Sequence, residues 1–159
     1  MTEHLSGSAR KVQDALSAHG LQCQVLELKQ STRGARDAAE AVGCEVGQIV
    51  KSLVFKGKAS QKPVLVVASG SNRVNEKRLA ELISEPVKMP DADFVRQKTG
   101  FAIGGVPPIG HAQPLETYID EDLFKYEEIW AAAGTPHSLF KLTPAELETI
   151  TGGLVVRVK

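Results

Sequence analysis

Apolar residues recur along the chain with two different periods, which predict helices and strands. Leu5, Ala9, Val12 and Leu16 repeat at helical spacing, and Gly20 is placed to end that helix. Strands are predicted where short apolar or alternating segments are bounded by turn residues, at 21–28, 49–55, 64–68, 115–119, 128–132 and 154–158. Residues 101–106 are predicted to be extended and to lead into a glycine–proline loop.

Capping residues mark the starts of four further helices. Ser31 and Thr32 precede an alanine-rich segment that ends at Gly43, while Asn75 and Asp91 precede two more amphipathic segments. Thr143 is followed by proline at the first helical position and glutamate at the third, the pattern of a capping box. Strands outnumber helices and do not alternate regularly with them, so the pattern predicts an α+β domain with a mixed sheet.

Length and charge narrow the class of protein. The chain has 159 residues, the size of one ordinary domain, and we expect residues 1–159 to form a single unit. Its 19 basic residues balance 19 acidic ones, which argues against tight nonspecific binding of nucleic acid and leaves open a local contact with a nucleic-acid end. Apolar stretches are too short for a membrane span and no signal-peptide pattern is present, so we expect a cytoplasmic protein.

Lys51 interrupts an otherwise apolar segment, 49–55. Side chains alternate along a strand, so Lys51 shares a face with Leu53 and Phe55. An ammonium group there must reach water or find an anionic partner. One interpretation is a lysine that protects an edge strand from aggregation. The other is a lysine on a pocket wall that binds a phosphate or a carboxylate.

The segment 104–110 contains three glycines and two prolines in seven residues, which predicts a stiff loop. Such a loop can bind an amino acid or an ester through main-chain groups, although it can equally be a structural connection. It lacks the lysine and the spacing of a phosphate-binding P-loop. The candidate substrate-binding residues are Gly104, Gly105, Val106, Pro107, Pro108, Ile109 and Gly110.

A second short loop follows the apolar pair Ile129 and Trp130 and ends at His137. His137 can act in acid–base chemistry or orient a substrate, and the alternative is a solvated side chain. The four histidines and two cysteines show no zinc-ligand spacing, and there is no nucleophile elbow. We therefore expect no metal and no cofactor.

Several of these segments together resemble a known family. Residues 36–43 and 48–55 look like the opening of the YbaK-like proteins, which are similar to the editing domain inserted in bacterial prolyl-tRNA synthetases. Residues 99–110 resemble the G-x-x-x-P substrate loop of that family. Residues 118–120, 132–134 and 142–147 match its later blocks, so that the order and spacing fit over residues 31–157.

The resemblance implies a fold and an activity. The fold is a mixed, strongly curved and barrel-like sheet surrounded by helices. The activity is hydrolysis of the ester that joins a wrongly attached amino acid to transfer RNA, most often the proline-specific one, without a metal or cofactor. The implied partner is the acceptor end of an aminoacyl-tRNA, with prolyl-tRNA synthetase as a second candidate and neither DNA nor a membrane involved.

The resemblance also implies roles for particular residues. Lys51 matches a lysine that holds the terminal phosphate or ribose of the acceptor end, and Gly104 and Pro108 match the ends of the substrate loop. Gly134 matches a glycine whose backbone helps to hold the substrate or water, next to Thr135 as a further binding residue. His137 falls where several members that act in trans carry a histidine. We accordingly predict Lys51, Gly134 and His137 as the catalytic residues.

One departure concerns the amino acid that is removed. Members that act on cysteine carry an acidic residue a few positions after the glycine matched by Gly134, whereas this chain has Ser138, Leu139 and Phe140 there. The departure favours a small or medium aliphatic residue such as alanine or 2-aminobutyrate over cysteine or serine. Two other functions stay open, a module that binds aminoacyl-tRNA or a synthetase without cleavage, and an esterase or amidase for a free small molecule.

Overall fold

The computed structural model describes residues 5–32 and 34–159, which form five α-helices and eight β-strands. The described helices are α1 (Gly7–Ala18), α2 (Ala35–Val42), α3 (Glu76–Ile83), α4 (Ala92–Thr99) and α5 (Pro144–Thr151). The strands are β1 (Val25–Glu27), β2 (Ile49–Gly57), β3 (Pro63–Ser69), β4 (Val87–Lys88), β5 (Glu116–Asp120), β6 (Ile129–Ala132), β7 (Ser138–Leu142) and β8 (Leu154–Val156).

All eight strands belong to one mixed sheet. Seven of them follow the order β1-β7-β6-β2-β3-β5-β8, and β4 pairs with β2 beside that path. The pairs β2–β6, β3–β5 and β5–β8 are parallel and the others antiparallel. The predicted α+β class with a mixed sheet is confirmed. In the described part of the chain β1 and β8 do not pair with each other, so the sheet is open rather than a closed barrel.

The central hairpin of β2 and β3 buries both of its faces, because successive side chains point to opposite sides of the sheet. One face belongs to the main core together with α1, α5 and the 104–110 loop, through residues that include Val50, Val54, Leu65, Val67, Val106 and Ile109. The other face packs against α3 and β5 through residues that include Phe55, Val64, Val66, Leu79 and Tyr118.

Local capping chemistry determines three of the helix starts. The side chains of Asn75, Asp91 and Thr143 accept hydrogen bonds from the first turns of α3, α4 and α5, as predicted. Thr143 and Glu146 also form the predicted capping box. Each of these bonds lies within three residues along the chain, which is why the sequence alone predicts them.

Three other predictions of secondary structure were wrong or incomplete. Thr32 does not cap α2, since its N–H and hydroxyl both donate to the carbonyl of Pro136, and the helix begins after Gly34. Residues 101–106, predicted to be extended, form a turn and a loop. Strand β7 was not predicted, although it lies between β1 and β6 in the sheet.

Candidate functional site

One edge of β2 is left unpaired in the middle of the sheet. The parallel ladder with β6 ends at Val50, and the antiparallel ladder with β4 includes only Lys56 and Gly57. Continuing the β4 register would place Pro90 opposite Val54, and proline has no N–H to donate to the Val54 carbonyl. Residues 51–55 therefore have no strand neighbour on this side, and we call them the open edge.

The alternation of hydrogen bonds along β2 shows which main-chain groups point to the open edge. On the β3 side, the Ile49 carbonyl accepts a hydrogen bond from the Gly70 N–H, and the Gly57 N–H donates to the Lys62 carbonyl. The main-chain N–H and C=O groups of the odd-numbered residues between Ile49 and Gly57 therefore also point toward β3. In an antiparallel pair the intervening residues direct their N–H and C=O groups to the other side. Ser52 and Val54 consequently present their main-chain donors and acceptors to the open edge.

A pocket of about 280 Å³ lies along this open edge. Its walls are mostly apolar and come from β2, the segment after β4, α4, β6, β7 and the turn at residues 103–106. The residues that line it are Thr32, Ala35, Ile49, Val50, Lys51, Ser52, Leu53, Val54, Met89, Pro90, Val95, Ile103, Gly104, Val106, Ala132 and Leu139. We refer to it as the β2 pocket.

Lys51 lies in the lining of the β2 pocket and is half-buried. Its side chain leaves β2 on the face of Leu53 and Phe55, as the alternation predicts, and its Nζ donates to the carbonyl of Asn72 at 2.7 Å. Burial lowers the pKa of Lys51, while the charge of Asp120 acts in the opposite direction. An ammonium group has three donors, so two remain after the bond to Asn72.

A buried carboxylate holds the segment that carries the Asn72 carbonyl. Asp120 accepts hydrogen bonds from the Asn72 side chain at 2.8 Å and from the Ser69 N–H at 3.0 Å. The Asn72 amide also donates to Asp122 at 2.8 Å. Hydrogen bonds from Lys159, Asn72 and Lys125 hold the pKa of Asp122 well below its usual range. Asn72 thus links the partner of Lys51 to two carboxylates at the end of β5.

The first part of the predicted substrate loop forms a wall of the pocket. A hydrogen bond from Gly105 to Ala102 closes a four-residue turn, and Gly104, in its third position, has φ +96°. Gly105 packs so closely on the backbone of Thr135 that an added Cβ would lie 2.8 Å from it. Gly104 and Val106 line the β2 pocket together with Lys51. Val106 packs on the face of Val50 and Val54, whereas the Lys51 side chain leaves β2 on the other face, so the pocket is shared across the open edge. The binding roles of these residues stay predictions.

The rest of the 104–110 loop turns away from the pocket. Pro107, Pro108 and Ile109 are buried, and residues 108–110 border a separate concavity that also includes His19. His111 donates a ring N–H to the carbonyl of Pro107 at 2.7 Å, and burial lowers its pKa. This end of the loop is fixed by packing and has no lining contact with the β2 pocket.

The other predicted site residues lie behind the loop. Gly134 is buried with φ +94°, and its N–H donates to the carbonyl of Gly105 at 2.9 Å. Thr135 forms a 2.5 Å hydroxyl contact with Ser138. His137 is exposed, and its Nδ1 lies 3.1 Å from the carbonyl of Gln30. None of the three lines the β2 pocket, and their direct roles stay predictions.

Sequence reasoning did not identify Ser52, Asn72 or Asp120. Ser52 and Asp120 lie in segments that match the family, 48–55 and 118–120, but the sequence assigns neither of them a role. Their positions in the site depend on where the strand ladders end and on contacts about 50 residues away along the chain. In residues 5–32 and 34–159 no group of three or more histidine, cysteine or carboxylate side chains could hold a metal ion, and His4 lies outside these residues. No described helix is long and apolar enough to span a bilayer.

Two bacterial proteins have sequences similar to this chain. A protein of Bacillus subtilis, "Uncharacterized protein YwhH", is 34% identical over 77% of this chain and 78% of its own length. A protein of Enterococcus faecalis, "Putative Cys-tRNA(Pro)/Cys-tRNA(Cys) deacylase EbsC", is 32% identical over 75% of this chain and 73% of its own.

The fold has a solved counterpart as well. The structure described as "Crystal structure of a putative trans-editing enzyme for prolyl tRNA synthetase" is 51% identical, with a TM-score of 0.92 over 98% of both chains. Residues 29–150, about three quarters of the chain, match the family described as the aminoacyl-tRNA editing domain. The chain therefore belongs to the aminoacyl-tRNA editing domain family, the YbaK-like proteins that the sequence motifs resemble.

Proposed function

We propose that residues 1–159 act as one editing domain that hydrolyses the ester between a wrongly attached small amino acid and transfer RNA, with proline tRNA as the carrier. The observation that supports this most strongly is the β2 pocket, which combines a lysine, a glycine turn and apolar walls at an open strand edge. The family match and the neighbour described as a trans-editing enzyme support the same reaction class.

The chemistry required is modest, because an aminoacyl ester is already activated. Holding a water molecule or the neighbouring ribose hydroxyl near the ester carbon contributes several kcal/mol through proximity. The Lys51 ammonium, with two donors available, would bind the phosphate or ribose of the acceptor end. Main-chain N–H groups at Gly104 or on the open edge would stabilise the oxyanion that forms.

The size of the pocket supports a small acyl group. A volume of about 280 Å³ lies just below the range of about 300–1,000 Å³ that is usual for small-molecule sites. A pocket that excludes the larger correct residue by steric clash acts as a second sieve, since one methylene group in a pocket contributes only about 1–3 kcal/mol. We propose alanine or 2-aminobutyrate as the residue removed and proline as the residue excluded.

The residues after Gly134 support an aliphatic preference. Leu139 lines the pocket, Phe140 is fully buried, and the Ser138 hydroxyl is already in contact with Thr135. No carboxylate belongs to the pocket lining. Cysteine, named for the relative from Enterococcus faecalis, is therefore a less suitable substrate here than alanine.

The pocket mouth fits the end of a nucleic acid. Met89 and Ile103 both line the pocket, and their side chains are 58% and 53% exposed. We propose that they contact the terminal adenosine while the aminoacyl group enters the pocket.

The test is incubation with a panel of proline tRNAs charged with alanine, 2-aminobutyrate, serine, cysteine or proline, with ester loss measured over time. We expect alanine and 2-aminobutyrate to be released fastest and proline to be retained. Lys51→Met should lower kcat/KM by about 10- to 100-fold, the loss of one charge-assisted hydrogen bond. The exposed Lys77→Met on α3 is the matched control and should not change it.

Two other outcomes would replace this proposal. Binding of charged tRNA without ester loss would indicate a non-catalytic module. Equal rates on a free amino-acid ester and on charged tRNA would indicate a general small-molecule esterase. Full activity of Lys51→Met would refute the role of the lysine.

A further inference from the structure

The Ser52 hydroxyl has no hydrogen-bond partner in the described structure, although its oxygen is inaccessible to solvent. Ser52 lies in the middle of the open edge and lines the β2 pocket. Alternation along β2 places its side chain on the face of Val50 and Val54, toward the turn that contains Gly104. A buried hydroxyl without a partner is costly, so a ligand that satisfies it gains affinity.

The main chain adds further unused groups at the same place. Ser52 and Val54 direct their N–H and C=O groups to the open edge, where neither β6 nor β4 reaches them. The open edge spans five residues, about 17 Å at the usual rise per residue. Unpaired strand edges bind extended peptide-like groups by adding their main-chain donors and acceptors to the ladder.

We infer that the open edge of β2 binds the α-amino group of the aminoacyl ester, with the Ser52 hydroxyl and the main-chain carbonyl of Ser52 or Val54 as acceptors. The inference rests on the proposed function and identifies which part of the substrate this side of the pocket recognises. An α-ammonium group has three donors and no acceptor, so it complements carbonyl and hydroxyl oxygens.

The arrangement also explains how one site serves residues of different size. The amino group and the ester carbonyl are common to all aminoacyl esters. Both are bonded to the α-carbon, as the N–H and C=O groups of a strand residue are. Bound along the open edge, they would direct the side chain toward the apolar wall formed by Val95 and Val106, on the same face as Ser52. Binding of the amino group then fixes where the side chain enters the pocket, so the space beyond that point determines which side chains fit.

The experiment compares alanyl-tRNA with lactyl-tRNA, in which a hydroxyl replaces the α-amino group, on proline tRNA. We expect the unmodified protein to hydrolyse the lactyl ester with kcat/KM at least about 10-fold lower. Ser52→Ala should lower kcat/KM for the alanyl ester about 10-fold and leave the lactyl ester nearly unchanged. Ser52→Thr, which keeps the hydroxyl, should restore most of the loss, and Thr149→Ala on the exposed side of α5 is the control.

Equal hydrolysis of both esters by the unmodified protein would overturn the inference and leave the proposed function intact. An equal loss on both esters in Ser52→Ala would show a structural effect and would also overturn it. Hydrolysis of neither ester would instead refute the proposed function. In that case, the dissociation constants of non-hydrolysable 3′-alanylamino and 3′-lactylamino adenosine decide the matter, because the inference requires tighter binding of the amino compound.

Discussion

Replacing Asn72 by alanine tests whether the segment behind Lys51 positions the ammonium group. The Asn72 side chain donates 2.8 Å hydrogen bonds to Asp120 and Asp122, while its main-chain carbonyl accepts from Lys51. Asn72→Ala removes both side-chain bonds and leaves the carbonyl in place. The segment that presents this carbonyl then loses its side-chain hydrogen bonds to Asp120 and Asp122, while the bond from the Ser69 N–H to Asp120 remains.

The expected magnitude follows from the two lost bonds. A hydrogen bond to a charged group contributes about 1.5–3 kcal/mol when buried, and Asn72 is only half-buried, so a total near 2–3 kcal/mol is expected. For a chain of this size, that lowers Tm by about 4–12 °C. Because Lys51 loses its fixed acceptor, kcat/KM for alanyl-tRNA should fall about 10-fold, measured well below the lowered Tm.

Asn75→Ala is a matched control for this prediction. Asn75 caps α3 on the opposite face of the hairpin from the main core, and its loss should cost about 1 kcal/mol with no change in kcat/KM. Differential scanning calorimetry and single-turnover deacylation measure the two quantities. Wild-type deacylation by Asn72→Ala, or an equal loss in Asn75→Ala, would refute the positioning of Lys51 through Asn72.

Two further predictions concern stability. Gly134→Ala should lower the free energy of unfolding by about 2–4 kcal/mol, and the control Gly43→Ala by about 1 kcal/mol. Both glycines have positive φ, but only at Gly134 would the added Cβ meet a backbone oxygen, that of Ser8, at 2.7 Å. Equal losses of stability in urea denaturation would contradict this. The pKa of His111 is lowered by burial, so the unfolded chain binds more protons below about pH 6.5 and the free energy of unfolding should fall from pH 7 to pH 5. His111→Gln, which can still donate to Pro107 but does not titrate, should show a smaller fall, and identical pH profiles would be inconsistent with a buried neutral imidazole.

Local chemistry explains what the sequence could predict. The caps at Asn75, Asp91 and Thr143 depend on bonds to residues two or three positions away. The face of Lys51 depends only on the alternation of a strand. Predictions that needed distant partners were wrong, as for Thr32, whose hydroxyl bonds to Pro136, 104 residues further along the chain.

The candidate site shows the same division. Lys51, Gly104 and Val106 line one pocket, whereas Pro108 and Gly134, to which the resemblance also gives roles, do not line it, and all of these roles stay predictions. Gly134 also carries a positive φ and packs against α1, which explains why only glycine suits that position. The open edge could not be predicted, because it exists only where the ladders with β6 and β4 stop, and the residue opposite Val54 is a proline from another segment.

The most direct measurement is a crystal structure of the protein with 3′-alanylamino-3′-deoxyadenosine, a non-hydrolysable analogue of the charged tRNA end. We expect the alanyl group to lie in the β2 pocket, in contact with Ser52 and Gly104, with the adenosine at the mouth beside Met89 and the Lys51 ammonium at the ribose. An alanyl group bound instead in the concavity beside residues 108–115, or in the groove at Trp130, would contradict the assignment of the β2 pocket as the site of hydrolysis.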